Sequence, residues 1–361
     1  MSRPARVVIN LSALRHNLNR VRTLAPQSRV MAIVKTDAYG HGITRVARAL
    51  ATADAFGVAC LEEARQLRGS GIVQPVILLE GAYAAAELQE IVQLDLEMVV
   101  HEVRQIEMLE SARLPRPVNV WLKVDTGMHR LGVMPGNFNN AWQRLQKCRS
   151  VTQPVRLMTH LATANERTHP MTHAQLACFS QLCGHLPVAK SIANSAGITA
   201  FPESHAEWVR PGLMLYGVSP LSDGNAMDEG LEPVMSLQSE LISVKKLPAG
   251  EPVGYGATWR CPEDMPVGVV AAGYGDGYPR HAPSGTPVLL NGKRVALIGR
   301  ASMDMLIVDL RTQRDARVGD PVVLWGDGLP IEEIAQHAGT IPYEILCGVH
   351  KRLHFVEHGQ G

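Results

Sequence analysis

Short apolar runs alternate with segments of helical period between residues 30 and 215. In the segments 61–67, 84–94 and 171–183, apolar residues recur three or four positions apart, which is typical of amphipathic helices. Because strands that alternate with helices pair in parallel, eight such strands predict a closed α/β barrel of the TIM type. The eight runs are 30–35 (VMAIVK), 56–60 (FGVAC), 75–79 (PVILL), 96–100 (LEMVV), 118–125 (VNVWLKVD), 155–160 (VRLMTH), 190–195 (KSIANS) and 208–211 (WVRP).

The pattern changes after Gly217, where the polar stretch SPLSDGNAMDEGLEP resembles a linker. The runs that follow are β-like, only 331–337 has helical period, and Asn291-Gly292 between apolar flanks predicts a hairpin. We therefore expect a barrel domain over 1–230 and a β-rich domain over 231–361. The strand candidate 6–11 precedes the barrel strands, so residues 1–9 are also free to pair with the second domain.

Charge and cysteine content narrow the class of protein. The 35 Lys and Arg residues balance 34 Asp and Glu residues, so no net field favours nucleic acid or an anionic membrane. The six cysteines lack the paired spacing of a zinc site and the density of a disulfide scaffold. With no apolar leader or spanning segment either, we expect a cytoplasmic protein that binds a small molecule.

Several strand candidates end on residues that can carry chemistry. In α/β barrels the active site is built at the carboxyl ends of the strands. A lysine, a histidine, an arginine and a hydroxyl at one mouth suit an anionic cofactor that forms a Schiff base with the lysine. The strand-end residues are Lys35, Asp125, His160, Ser195 and Arg210.

The segment AIVKTDAYGHG (32–42) resembles the cofactor-lysine motif of bacterial alanine racemases. Seven further segments resemble that family in the same order and cover nearly the whole chain. The resemblance implies a pyridoxal-phosphate enzyme that interconverts L- and D-alanine, a homodimer with active sites shared between subunits, and a barrel followed by a β-domain. The segments are KVDTGMHRLG (123–132), THLATA (159–164), IANSAG (192–197), WVRPGLMLYGVSP (208–220), GEPVGYGATW (250–259), GYGDGYPR (273–280) and GRASMDM (299–305).

The same resemblance implies a role for each matching residue. Lys35 would hold pyridoxal 5'-phosphate and would be the base that acts on D-alanine, and Tyr255 of the partner subunit would be the base for L-alanine. Arg210 would contact the pyridine nitrogen, with His160 beside it, and Arg130 would contact the cofactor phenolate and the substrate carboxylate. The phosphate would lie against Tyr39, Ser195, Gly212, Leu213 and Tyr343.

Second-domain residues complete the expected site. Met303 and Asp304 match a loop whose backbone amide meets the substrate carboxylate, and Tyr274, Arg280 and Arg300 resemble the substrate corridor. A planar carbanion must lose a proton from one face and regain one on the other, so the reaction needs two proton carriers on opposite sides. D-alanine made this way would serve peptidoglycan synthesis or alanine catabolism.

Some alternatives stay open. In many relatives a lysine matching Lys123 is carbamylated, but an ordinary pair with Asp125 is also compatible. A racemase of broader specificity, a non-catalytic pyridoxal-phosphate carrier and an amino-acid decarboxylase share parts of the pattern. His169 and His173 have the spacing of metal ligands but lack a neighbouring glutamate or third ligand, so no metal is expected. The family pattern departs at Asn165, and the tail after Cys347 receives no role.

Overall fold

The computed structural model describes residues 3–359, and the first strand is β1 (Arg6–Asn10). Eight parallel strands then close into a barrel, in which β9 pairs with β2 through Trp208 and Arg29. This confirms the predicted fold class. The barrel strands are β2 (Arg29–Ile33), β3 (Ala55–Val58), β4 (Val76–Leu78), β5 (Leu96–Val100), β6 (Val118–Lys123), β7 (Val151–Met158), β8 (Lys190–Asn194) and β9 (Trp208–Arg210).

Helices cover the outside of the barrel. The first of them begins after Asn10, whose side chain accepts hydrogen bonds from the amides of Ser12 and Ala13 and so satisfies two free donors. Its buried residues recur at helical spacing, and the helix packs against the turn Leu213–Tyr216 and the helix Ile43–Ala49. The helices are α1 (Leu11–Leu24), α2 (Ile43–Ala49), α3 (Leu61–Gly69), α4 (Glu87–Gln93), α5 (Val103–Ser111), α6 (Phe138–Lys147), α7 (Met171–Cys183) and α8 (Ser195–Ala200).

The rest of the described chain is mainly β-structure. Its largest sheet has the order β15-β14-β17-β10-β1-β18; β13 also pairs with β10, and β16 pairs with β13. β1 lies in this sheet, where Val7 pairs with Leu237 of β10 and with Phe355 of β18. The strands are β10 (Met235–Leu247), β11 (Pro252–Val253), β12 (Trp259–Arg260), β13 (Met265–Val270), β14 (Pro287–Leu290), β15 (Lys293–Ala296), β16 (Leu306–Asp309), β17 (Pro321–Trp325) and β18 (His354–His358).

Two local predictions in this domain have different outcomes. The hairpin at Asn291-Gly292 is confirmed, since it joins β14 to β15 with φ of 49° and 73° at these two residues. The expectation of a single helix over 331–337 is wrong, because α9 (Ile331–Ala338) is followed by α10 (Pro342–Cys347). α10 has only six residues, too few for a period to be visible, and the fixed φ of Pro342 suits a helix start.

Several barrel strands end earlier than their apolar runs. β2 ends at Ile33 rather than at Lys35, and Ser195 is the first residue of α8 rather than the last residue of β8. Asn194 causes the second change, since its side chain accepts a hydrogen bond from the amide of Gly197 and starts the helix. Between residues 3 and 359, none of the helices is long and apolar enough to cross a membrane.

Candidate active site

The chain after β2 forms one turn of left-handed helix, Lys35–Tyr39. Four consecutive non-glycine residues have positive φ, from Thr36 at 56° to Tyr39 at 53°. This conformation costs L-residues about 1–2 kcal/mol each. Asp37 offsets part of the cost by accepting a hydrogen bond from the amide of Ile43 at 2.8 Å. Strain of this kind persists only where the surrounding structure holds it, and it concentrates at functional sites.

Hydroxyl and amide groups converge beside this turn. The amides of Gly212 and Met214 lie 2.8 and 3.4 Å from the Oγ of Ser195, and Leu213 begins the short turn Leu213–Tyr216. A Cβ on Gly212 would lie 2.5 Å from the hydroxyl of Tyr39, so a larger residue would displace the tyrosine. Converging donors of this kind suit a phosphate or a carboxylate.

Arg210 is a buried cation at the same mouth. Its guanidinium donates to Ser191 Oγ at 2.7 Å, to the carbonyl of Thr159 at 2.5 Å and to that of Ile192 at 3.2 Å. Burial lowers the pKa of Arg210 to about 10. Nδ1 of His160 lies 3.4 Å from the guanidinium, which can only donate, so this nitrogen is the acceptor. Burial and the charge of Arg210 hold the pKa of His160 far below its usual value, which keeps the imidazole neutral.

Lys123 and Asp125 lie at the mouth, at the end of β6. Cations surround the lysine, whereas backbone amides bind the aspartate. Burial, followed by the charges of Arg210, Arg130 and Lys35, lowers the pKa of Lys123 to about 8. Asp125 instead uses its carboxylate to accept hydrogen bonds from the amides of Gly127 and His129, both at 3.0 Å. Arg130 lies exposed in the loop that follows. The lysine is therefore surrounded by cations and has a substantial neutral fraction near pH 8.

Helix α10 brings the second domain to this mouth. The ring of Tyr343 lies 5.8 Å from that of Tyr39, and burial raises the pKa of Tyr343. A Cβ on Gly40 would lie 2.2 Å from the carbonyl oxygen of Leu346, so the lysine turn and α10 are in direct backbone contact. The unpredicted helix thus supplies one of the predicted site residues.

The other second-domain candidates form a separate set. Gly256, next to Tyr255, approaches the guanidinium of Arg300, and the Gly275 amide donates to the Met303 carbonyl at 2.8 Å. Arg280 lies over the ring of Tyr274 at 5.9 Å. Asp304 pairs with Arg352 at 2.9 Å. Within residues 3–359 of one chain, no hydrogen bond, ion pair or ring contact joins this set to Lys35.

One residue behind the mouth was not singled out from the sequence. Tyr216 is fully buried, donates its hydroxyl to the carbonyl of Ile33 at 2.9 Å and packs its ring 4.7 Å from that of Tyr39. It therefore ties the end of β2 to the lysine turn. The only available signal was an aromatic residue before a glycine in WVRPGLMLYGVSP, which a buried core residue also gives.

The two histidines considered as metal ligands have other contacts. His169 accepts a hydrogen bond from the amide of Met171, and His173 lies 3.5 Å from the carboxylate of Glu203. The part of the chain that the structure describes contains no cluster of three or more His, Cys, Asp or Glu side chains that could hold a metal ion.

Fold and site together define a two-domain α/β-barrel protein whose mouth combines two lysine amines, a group of anion donors and a buried arginine. Two family models match the chain, alanine racemase N-terminal domain over residues 9–220 and alanine racemase C-terminal domain over 234–357. The chain therefore belongs to the alanine racemase family, as the motifs predicted.

Individual relatives match over nearly their whole length. The alanine racemase of Nitrosococcus oceani is 54% identical over 346 residues, which are 96% of this chain and 97% of the relative. The biosynthetic alanine racemase of Escherichia coli K12 is 53% identical over 97% of this chain and 98% of its own. The crystal structure of biosynthetic alanine racemase from Pseudomonas aeruginosa superposes with a TM-score of 0.96 at 46% identity, covering 99% of both chains.

Proposed function

We propose that this protein is an isomerase that interconverts L- and D-alanine with pyridoxal 5'-phosphate as cofactor. The observation that carries the proposal is the convergence at one barrel mouth of Lys35, the anion donors around Ser195 and the buried Arg210. The names of relatives that are 51–54% identical over almost the full chain support the same activity. The match to the second-domain family model over 234–357 argues against a carrier protein that consists of a barrel alone.

The donor set of the mouth fits the proposed cofactor. The phosphate would be held by Tyr39, Ser195, Gly212, Leu213 and Tyr343. Backbone amides and hydroxyls can replace its hydration shell without moving, because the strands and the left-handed turn already fix them. When bound, the cofactor withdraws electrons from the substrate α-carbon and so makes its proton removable.

Arg210 and His160 would set the electronic environment of the ring nitrogen. A guanidinium only donates and keeps its proton at neutral pH, so Arg210 cannot protonate the pyridine nitrogen. Its bonds to two backbone carbonyls fix its orientation. By leaving the ring nitrogen unprotonated, Arg210 would favour return of the proton to the substrate over transamination.

Lys35 and Tyr255 would carry the protons. The amine of Lys35 would take or return a proton on one face of the bound substrate. Tyr255 would serve the opposite face from the partner subunit, with Arg130 and the Met303–Asp304 loop binding the substrate carboxylate and with Tyr274, Arg280 and Arg300 lining its approach. The tyrosine is 67% exposed in the single chain, so it is free to enter a neighbouring site.

The exposed face of the second domain supports a homodimer. Tyr255, Met303 and Met305 are large apolar side chains with 67%, 53% and 44% of their surface exposed. A face of this kind is typical of protein interfaces. A closed two-fold dimer would bring the face of each subunit to the barrel mouth of the other. We place the enzyme in the cytoplasm, where the six free thiols would stay reduced.

The experiment that tests this proposal measures formation of D-alanine from L-alanine by the purified protein, with the cofactor absorbance recorded. Lys35→Ala should remove the lysine-dependent absorbance. Tyr255→Phe should lower the rate of racemisation by about 10²-fold or more, as expected for loss of a general base, and should leave the cofactor absorbance unchanged. Turnover of Tyr255→Phe at the wild-type rate in both directions would contradict the two-base assignment, and an amine product without D-amino acid would indicate a decarboxylase.

A further inference from the structure

His41 lies two residues after Tyr39 and has no role in the proposed reaction. Its side chain is fully buried. Nδ1 lies 3.0 Å from the carbonyl oxygen of Ala38 and 2.9 Å from that of Tyr39. These are the last two peptide units of the left-handed turn that begins at Lys35.

The contacts of His41 fix its protonation state. A carbonyl oxygen only accepts, so Nδ1 must carry the hydrogen that the two oxygens share. Nε2 has no hydrogen-bond partner among residues 3–359. Burial lowers the pKa of His41 to about 4, so the ring is neutral under ordinary conditions and its single hydrogen is on Nδ1.

The ring of His41 also belongs to an aromatic group behind the mouth. Its centroid lies 4.6 Å from that of Tyr216, and the Tyr216 ring lies 4.7 Å from that of Tyr39. Tyr216 is anchored to β2 through the carbonyl of Ile33. The Tyr39 end of the turn is therefore held by a hydrogen bond from one ring and by packing against another.

The turn needs such support. Its residues Thr36–Tyr39 lie in the left-handed region, and none of them is glycine. Each such residue costs about 1–2 kcal/mol, so a free loop would leave this conformation. If it did, the Tyr39 hydroxyl would lose its place against Gly212.

We propose that His41 is a positioning residue, which holds the left-handed turn by hydrogen-bonding its last two carbonyls and so keeps the Tyr39 hydroxyl in the phosphate site. The inference rests on the proposed function, because it assigns Tyr39 to the cofactor phosphate. His41 acts from behind Tyr39 and touches neither cofactor nor substrate.

A matched pair of variants isolates the hydrogen bond. His41→Asn puts an amide N–H at the position of Nδ1, whereas His41→Leu has nearly the same shape and no donor. Because the phosphate is the only part of the cofactor that Tyr39 would contact, loss of the hydrogen bond should weaken binding of pyridoxal 5'-phosphate and spare binding of pyridoxal. Val46→Ala, in the buried face of α2, removes nearby packing and serves as a control for general destabilisation.

The experiment titrates each apoprotein with pyridoxal 5'-phosphate and with pyridoxal and compares the ratio of the two dissociation constants. Melting temperatures of the apoproteins are measured in parallel. We expect His41→Leu to lower the preference for the phosphorylated form about tenfold, which corresponds to one hydrogen bond. His41→Asn should restore most of the preference, and Val46→Ala should keep it whatever its melting temperature.

Two results would overturn the inference. One is an unchanged preference in His41→Leu, and the other is an equal loss of both affinities, which would mean a purely structural role. Failure of the proposed function has a different signature, since wild-type protein would then bind neither compound through Lys35.

Discussion

Lys35, Lys123, Arg130 and Arg210 crowd positive charge into the barrel mouth. All four cations lower the pKa of His160. Lys35, Arg130 and Arg210 also lower the pKa of Lys123. Burial, which penalises the charged form of a side chain, is the largest cause of both shifts, and the neighbouring cations add to it. A mouth of this kind is unfavourable when empty and favourable to a dianionic ligand, which fits the proposed cofactor.

A pH prediction follows for Lys123, whose pKa in the folded protein is about 8 against an ordinary 10.5. At a pH between these two values, the amine of Lys123 is protonated in the unfolded chain and mainly neutral in the folded protein. The contribution of Lys123 to stability therefore rises as pH increases from about 8 towards 10.5, by at most about 1.4 kcal/mol per pH unit.

Unfolding free energies of the apoproteins, wild type and Lys123→Met, can be compared by denaturant titration in buffer free of carbon dioxide. Titrations that do not depend on Lys123 cancel in the difference between the two proteins. As pH rises from about 8 towards 10.5, the unfolding free energy of wild type should increase relative to that of Lys123→Met. A constant difference would mean that the pKa of Lys123 is unshifted by folding, and a falling difference that folding raises it; either result would contradict the prediction. The neutral amine near pH 8 is also the form that can react with carbon dioxide, so repeating the titration with bicarbonate tests carbamylation.

At the scale of elements, the left-handed turn and α10 depend on each other. The turn carries Lys35 and Tyr39, and α10 carries Tyr343 and closes on the turn at Gly40. The contact passes through backbone atoms, which cannot move aside as a flexible side chain can. The second domain of a subunit therefore helps to shape the mouth of its own barrel.

Gly40→Ala should disrupt this contact. At φ of 78° an alanine is strained, and its Cβ would lie 2.2 Å from the carbonyl oxygen of Leu346. We expect a loss of about 2 kcal/mol or more, from strain together with overpacking, and weaker binding of the cofactor.

Gly71→Ala is the matched control for this change. Gly71 has φ of 85° but no atoms within 4 Å of its Cβ position, so this variant carries the backbone strain without the clash. It should lose only about 1 kcal/mol and bind cofactor normally. Thermal and denaturant unfolding of both variants, with cofactor titration, measures the difference, and equal effects would exclude a role for the α10 contact.

For the whole molecule, the two groups of site residues lie apart in one chain. The Lys35 group is at the barrel mouth, and the Tyr255 group is on the exposed face of the β-domain. The proposed dimer makes a complete site from one group of each subunit.

Mixed dimers test this arrangement. Co-expression of Lys35→Ala and Tyr255→Phe chains with different tags allows the mixed dimer to be purified. With shared sites, one of its two sites has both bases, so about half of the wild-type activity should return. With both bases in one chain, every site would lack a base and activity would stay absent.

The reciprocal mixed dimer reverses the expectation. One chain carries both substitutions and the other is wild type, so a shared arrangement leaves each site with one base missing. Activity near half of wild type in this dimer would contradict sharing between subunits. The two dimers contain the same number of substitutions, so general destabilisation does not explain a difference between them.

The sequence by itself determined the order of the helices and strands and the positions of the candidate active-site residues. The period of apolar residues reports which face of a local segment is buried, and this was enough to predict the eight-stranded barrel, the 291–292 hairpin and the placement of Lys35 and Arg210 near strand ends. Motif order then identified the family.

Only the tertiary structure decided how these residues are held. The left-handed conformation of Thr36–Tyr39 follows no local preference and exists because His41, Tyr216 and α10 surround it. The partners of Arg210 come from other strands, and α10 is too short to show a period. Such features depend on contacts between residues far apart in the chain, and local periodicity carries no record of them.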